Sequence, residues 1–458
     1  MRLKKFFIQK LGIDKAIFYT ILGKGLQMST AAFTVLFIAK YLSPNEQGYY
    51  YTFGSIVAIQ VFFELGLTGI ITQFVAHEAS HLKFDKETIT GETIYKSRLA
   101  SLLKICSKWY SIISIGLLIV LISAGFIFFT YYNSSNTDVK WEGPWITLTL
   151  GTIMNFLITP IIAIIEGLGK VKEIAKFRMV QQIIQPIILW GGLYYGLELY
   201  VLGIDAICRV LLITYLIRIS PIYSILTLIW KEKITDTISY KNEILPYQWR
   251  IAVSWISGYF IFQLFNPVLF ATEGPIVAGQ MGMTMQALNA LQALTLAWIN
   301  TKSPQLAGFI ALKKYEELDI LFNKTFKQVV LLGFVILILF VTTINIVQHF
   351  NISFFNISIG NRFLPTLPMI LMAWSVFTMF PVNCWAIYLR SHKKEPLMIN
   401  SMVMGILCCL STLILGKFYG LYGITIGFAF LRLISLVWIR LVFIRKREQW
   451  HINLEFNL

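Results

Sequence analysis

Stretches of about 20 apolar residues, the length an α-helix needs to cross a hydrocarbon core of about 30 Å, recur along this chain from end to end. Inside a bilayer every backbone N–H and C=O must find its partner within the protein, so long apolar runs of this kind fold as spanning helices. Twelve such runs stand out, at about 16–39, 49–75, 106–131, 143–167, 175–197, 201–230, 249–271, 276–299, 327–348, 364–389, 396–416 and 421–444. The predicted fold class is all-α, a polytopic membrane protein. Composition agrees, because 57% of residues are hydrophobic and 14% charged, against about 25% charged in soluble domains. No stretch remains for a separate soluble domain.

The net charge of +16 raises nucleic acid as a partner, but the Lys and Arg sit in short loops beside apolar runs, the pattern that orients membrane helices. Among the 39 Lys and Arg, four (Lys24, Arg209, Arg218, Arg432) lie deep within spans and four (Lys40, Lys140, Arg362, Lys417) lie in loops on one side. All others lie in loops or at span ends on the side that carries the N-terminus. A single missed span would reverse every later loop, so this asymmetry supports twelve spans with both termini cytoplasmic in a bacterial inner membrane, and no nucleic-acid partner. The longest loops, about 76–104 and 302–324, fall on the basic side. The connections near Ser43 to Gln47 and Glu273 to Pro275 are bare turns on the other. Residues 1–15 interleave Phe6, Phe7, Leu11 and Ile13 with lysines and read as an amphipathic segment ahead of a retained first helix, rather than a cleaved signal. The expected domains are 1–15, an N-lobe at 16–248, a C-lobe at 249–444 and a tail at 445–458. The cysteines (Cys106, Cys208, Cys384, Cys408, Cys409) lack ligand spacing and read as lipid-facing or packing residues.

The halves repeat weakly. Pro44 and Gly48 match Pro275 and Gly279 at one common offset; Lys172, Glu173, Leu199, Tyr200, Ile204 and Arg218 match Lys394, Glu395, Leu421, Tyr422, Ile426 and Arg440 at another. Six helices return the chain to its starting side, so the lobes are expected to be parallel and to enclose a substrate cavity, as transporter repeats do.

An ionisable group inside a span costs at least about 2.5–3.5 kcal/mol and normally faces a cavity or a partner. Arg432, Arg209, Arg218 and Lys24 are therefore candidate cavity residues that bind phosphate oxygens, with arginine offering bidentate contacts. Against this, Asp205 and Arg209 are spaced i,i+4 and can form a local pair, and Arg218 can snorkel. Glu64 is a candidate for ion coupling or for pairing with Lys24. The segment His77-Glu78-Ala79-Ser80-His81 fits H-E-x-x-H, which on a helix binds zinc with the Glu as general base. A zinc protease is the rival reading, although a third ligand must come from elsewhere. No phosphate-cradling G-x-x-x-x-G-K-[ST] loop occurs, and the residues themselves call for no cofactor and no resident metal.

Four stretches resemble the polysaccharide flippases of the multidrug/oligosaccharidyl-lipid/polysaccharide exporter superfamily. Tyr41-Leu42-Ser43-Pro44-Asn45-Glu46-Gln47-Gly48-Tyr49 is similar to that family's turn after the first helix, and Glu166-Gly167-Leu168-Gly169-Lys170-Val171 to its helix four-to-five junction. Lys302-Ser303-Pro304-Gln305-Leu306, with Lys313 to Leu318, is similar to the segment after helix eight, and Tyr419 to Gly427 to the entry of helix twelve. The resemblance implies a non-enzymatic flippase with two six-helix lobes. Alternating access would carry an undecaprenyl-pyrophosphate-linked oligosaccharide outward, beside glycosyltransferases and a polysaccharide polymerase. A multidrug/ion antiporter of the same superfamily is the alternative. No site residue transfers by motif, so the basic candidates stand on the membrane argument alone.

Overall fold

The structure, a computed structural model, describes residues 15–84, 88–132, 139–354, 357–392 and 394–452. Phe6, Phe7, Leu11 and Ile13 of the N-terminal segment lie outside these residues. The chain is an all-α membrane protein, and each of the twelve apolar runs is helical. The helices are α1 (Lys15–Tyr41), α2 (Pro44–Glu64, then Leu67–Ala79), α3 (Thr93–Tyr132), α4 (Glu142–Gly167), α5 (Val171–Tyr194) and α6 (Tyr200–Arg218, continued by Ile222–Lys231). The second half follows with α7 (Leu245–Phe262 and Phe265–Glu273), α8 (Pro275–Ala311), α9 (Tyr315–His349) and α10 (Thr366–Ser391). One helical run, Met398–Ile452, holds the last two spans, α11 and α12, on either side of a kink at Gly420.

Among the described residues seven helices, with bent α2 as an eighth, are long and apolar enough to span a bilayer by length and composition. Neither α5 nor α8 meets that test, since both carry rows of amides, Gln181, Gln182 and Gln185 in one and Gln286, Asn289 and Gln292 in the other.

The two long loops expected on the basic side are largely helix instead. Helix α3 starts at Thr93, after a short hairpin of Leu82–Phe84 with Ile89–Gly91, and α8 and α9 are separated only by residues 312–314. At 40 residues α3 is about 60 Å long, twice the hydrocarbon thickness. Its first turns continue beyond the apolar window, where water and polar neighbours satisfy charged side chains. An apolar-run criterion sees only the part that needs lipid.

The chain forms two compact units. One comprises residues to Thr30 with Ile56–Trp255, and the other Ala31–Ser55 with Ile256–Leu458. In the first unit small residues let α4 and α6 approach closely, as membrane helices commonly do. A Cβ on Gly203 would lie 2.5 Å from Thr147 Oγ1, and one on Gly151 2.7 Å from Ala206 Cβ. Below that contact Ile165, Ile174, Phe177, Ile213, Ile217 and Ile222 form a buried cluster.

A polar cluster ties the segment after α6 to α3. Ser97 Oγ accepts from the Thr235 and Asp236 amides at 2.7 and 2.8 Å and donates to the Asp236 carbonyl at 3.0 Å. Arg98 bridges two carboxylates, Glu78 through Nε at 3.2 Å and Glu243 through Nη2 at 2.6 Å. Burial pushes the Glu243 carboxyl up, but the Ser239 amide at 2.9 Å and the Arg98 guanidinium outweigh it and hold Glu243 below the ordinary glutamate range.

In the second unit the starts of α2 and α8, matched by the internal repeat, pack on each other. Both helices begin with Pro at the first helical position, where its missing N–H costs nothing. Helix α2 adds a capping box, with the Ser43 amide donating to Glu46 Oε2 at 2.6 Å and the Glu46 amide to Ser43 Oγ at 3.2 Å. Gly48 lies so close to α8 that a Cβ would collide with the Pro275 carbonyl oxygen. Gln47 Nε2 donates to the Gly279 and Arg362 carbonyls at 2.8 and 3.1 Å, and Arg362 Nη2 to the Leu42 carbonyl at 2.7 Å. At the α11–α12 kink, Gly420 has a φ of 55° and Glu273 accepts from the Leu421 amide, capping α12.

Four substitutions test these contacts in detergent unfolding experiments. Gly48→Val is expected to cost about 1–3 kcal/mol, as overpacking does, whereas Gly258→Ala, with open space at its Cβ, should stay within about 0.5 kcal/mol. Arg98→Ala leaves Glu78 buried without its counter-charge and should cost up to about 3–5 kcal/mol. Because the folded-state pKa of Glu243 is depressed, its contribution is present above the unfolded-state value and is lost as pH falls through the folded one. Melting temperature should therefore drop on acidification, and Glu243→Gln should flatten that drop.

Candidate functional site

The charged residues singled out by sequence fall into different environments. Asp205 is 7% exposed and its Oδ2 accepts from Arg209 Nη2 at 2.7 Å and from Gln185 Nε2 at 3.1 Å. Gln181 Nε2 donates to the Arg209 carbonyl at 3.0 Å. This is the local i,i+4 pair. Arg218 is exposed and lies 6.0 Å from the centre of the Tyr223 ring. Nine residues separate it from Arg209, which puts the two arginines on opposite faces of α6 at about 100° per residue. They therefore do not line one surface together.

Glu64 ends the first part of α2, and its Oε1 accepts from Thr68 Oγ1 at 2.6 Å. Leu65 and Gly66, both left-handed, follow it and produce a 42° bend. A left-handed leucine costs about 1–2 kcal/mol. Lys24 belongs to α1, and its side chain lies outside the described residues.

Arg432 is in the second unit and only 7% exposed, with Nε and Nη2 buried and lacking a hydrogen-bond partner among the described residues. Asn400 Nδ2 on α11 is unpartnered in the same way, while its Oδ1 accepts from Ser435 Oγ at 3.3 Å. The facing stretches of α11 and α12 thus hold three unused donor atoms at membrane depth.

The H-E-x-x-H segment is not assembled as a metal centre. It straddles the end of α2, which stops at Ala79. Glu78 is turned inward onto Arg98, His77 is exposed, and the His81 ring stacks on Tyr95 with centroids 4.1 Å apart. A carboxylate engaged by a guanidinium is not available as a general base. Among the described residues no group of three His, Cys, Asp or Glu side chains can hold a metal.

Charge-based reasoning missed a cavity of about 620 Å³ inside the second unit. Helix α8 presents Gln286, Asn289 and Gln292 to it at intervals of three residues, one helical face, together with Met285. Gln263, in the break of α7, and Asn266, in its second part, also face it, with Phe262 and Phe265 beside them. Tyr51, Gly54 and Ser55 of α2 complete that side. Tyr51 Oη donates to Gln286 Oε1, and Asn266 Nδ2 donates to Ser55 Oγ at 3.1 Å and to the Tyr51 carbonyl at 3.4 Å. Among the described residues no Asp, Glu, Lys or Arg lines the cavity. The signal available in sequence was amide periodicity within apolar runs, a pattern that a search for formal charge passes over.

No family profile and no curated protein sequence matches the chain. Solved structures do. A structure described as the lipid II flippase MurJ in an inward closed conformation aligns with a TM-score of 0.64 at 15% identity, covering 95% of this chain and 90% of that one. A MATE multidrug transporter, DinF-BH, aligns at 0.57 and 14% identity, with 94% of each chain covered. A Vibrio cholerae MATE transporter, VcmN, aligns at 0.56 and 13% identity, covering 95% and 97%. The chain shares the fold of these transporter structures. At these identities the likeness establishes architecture and leaves cargo to be argued from the site.

The orphaned guanidinium makes a prediction for stability. Replacing Arg432 by Met removes a buried group whose hydrogen-bonding capacity is unmet, a situation that costs about 1–3 kcal/mol or more for a charge. Arg432→Met is expected to melt at a higher temperature than the wild type in detergent. A lower melting temperature would mean that the arginine is a structural tie.

Proposed function

We propose that this protein is a flippase that carries a lipid-linked oligosaccharide from the inner to the outer leaflet of a bacterial cytoplasmic membrane by alternating access, with both termini cytoplasmic. The observation that carries this reading is the chemistry of the second unit's cavity. It is large, at about 620 Å³, within the usual range of about 300–1,000 Å³ for small-molecule sites, and its polar lining is amide and hydroxyl, with no carboxylate among the described residues. A cation exporter needs fixed negative charge to replace the water its cargo sheds. A neutral, hydrogen-bonding lining suits a hydroxyl-rich head group. The MurJ structure, described as a lipid II flippase, supplies a precedent on this fold for lipid-linked cargo.

In this reading access alternates between the two faces of the membrane, the sugar head enters the cavity of the second unit, and the polyprenyl tail remains in lipid. The bend at Leu65–Gly66 gives α2 a place to flex. Arg432, with its unused donors, is the candidate partner for the diphosphate, while Arg209 is committed to Asp205 and Arg218 lies at the surface. Glu64 is the candidate for coupling to an ion gradient. Glycosyltransferases that build the cargo and a polymerase that consumes it are the expected neighbours.

Deleting the protein from its host, with and without return of the intact gene, tests the reading. Lipid-linked oligosaccharide should accumulate on the cytoplasmic face while surface glycan falls severalfold. A stably inserted Arg432→Ala variant should restore surface glycan only partly. Unchanged surface glycan in the deletion strain, combined with new sensitivity to cationic drugs, would favour a multidrug antiporter instead.

A further inference from the structure

We infer that the amide-lined cavity of the second unit is a subsite for uncharged sugar rings, and that it selects neutral glycans over those bearing uronic acids. The inference rests on the flippase reading and specifies which part of the cargo this surface recognises. A sugar hydroxyl is both donor and acceptor, and a primary amide offers both functions from one planar group. A guanidinium only donates, and a carboxylate only accepts. Five amides from two helices converge here, with Ser55 and Tyr51 opposite them.

These groups divide into two sets. Asn266 and Gln286 are engaged with Ser55 and Tyr51, which fixes the Tyr51 ring and the α2–α7 side of the cavity in place. Gln263, Asn289 and Gln292 face the cavity with no side-chain hydrogen bond among the described residues. None of the three is buried, so a molecule entering the cavity meets donors and acceptors that no protein group has claimed. Tyr51 and Phe262 add aromatic surface, and an aromatic face, negative at its centre, attracts the polarised C–H groups on the flat side of a pyranose. Oriented aromatic surface with amides around it is suited to a sugar ring. A diphosphate finds no cation among the described lining residues.

The uncharged lining also sets selectivity. A uronic acid carboxylate entering this cavity would lose water and gain no counter-charge, a penalty that hydrogen bonds from amides offset only in part. A neutral hexose exchanges water for amide partners at little net cost.

The test uses the full chain in proteoliposomes and two probes. One is a polyprenyl diphosphate carrying a fluorescently tagged trisaccharide of neutral hexoses; the other is identical except that one hexose is a hexuronic acid. At subsaturating concentration the wild type should translocate the neutral probe about 10-fold faster than the acidic one. Asn289→Leu and Gln292→Leu, each checked for an unchanged melting temperature, should raise the half-saturating concentration of the neutral probe about 10-fold, roughly 1.4 kcal/mol. Should a leucine variant fail to insert, Asn289→Ala and Gln292→Ala carry the same expectation. Gln292→Arg should improve transport of the acidic probe alone. Equal wild-type rates on both probes, with half-saturation unmoved in the variants, would overturn the subsite and leave the flippase reading standing. Translocation of neither probe above protein-free vesicles would overturn both.

Discussion

Polar groups withdrawn from water into hydrocarbon must be satisfied by the protein itself, and most features of this molecule follow from that demand. It makes every apolar run a helix. It also explains the care taken where helices begin, with the Ser43–Glu46 capping box on α2 and the Glu273 carboxylate on the first free amide of α12. Where an ionisable group enters a span, as Asp205 does, its neighbours on α5 and α6 are recruited to it. Other polar groups have no partner among the described residues: Arg432 Nε and Nη2, Asp205 Oδ1 and Arg209 Nε are buried, whereas Gln263, Asn289 and Gln292 open onto the cavity.

On the proposed reading, Arg432 and the cavity amides divide the chemistry of a lipid-linked glycan between them. The guanidinium on α12 has the charge to meet phosphate, and the cavity between α2, α7 and α8 has the neutral donors and acceptors to meet hydroxyls. A carrier must also release its cargo. Amide–hydroxyl hydrogen bonds are modest in net strength because each replaces one to water, so a site made of several of them can discriminate without binding irreversibly.

Much of the fold was legible in the sequence because its governing signals are long. Twelve apolar runs and a one-sided distribution of Lys and Arg survive small errors in boundary. The match of Pro44 and Gly48 with Pro275 and Gly279 proved to mark a physical contact, in which the two turns pack within the reach of a missing Cβ. The polar extensions of α3, α8 and α9 were not legible as helix, since nothing in an apolar-run criterion registers a helix that has left the bilayer. The zinc-like motif failed for a tertiary reason: Arg98, distant in sequence, turns Glu78 inward. The cavity was missed because amides carry no formal charge. In α8 they lower the hydropathy below that of the neighbouring spans, and that deficit is itself the trace of the cavity.

The central claim is that the glycan head occupies the cavity lined by α2, α7 and α8. A lipid-linked trisaccharide bearing a photoreactive group on its sugar, illuminated with the full protein in lipid and mapped by mass spectrometry, tests it most directly. The account predicts crosslinks at Tyr51, on Gln263 to Asn266 and on Gln286 to Gln292, competed by unlabelled cargo. Competed crosslinks confined to α6, around Arg209 and Arg218, would contradict it.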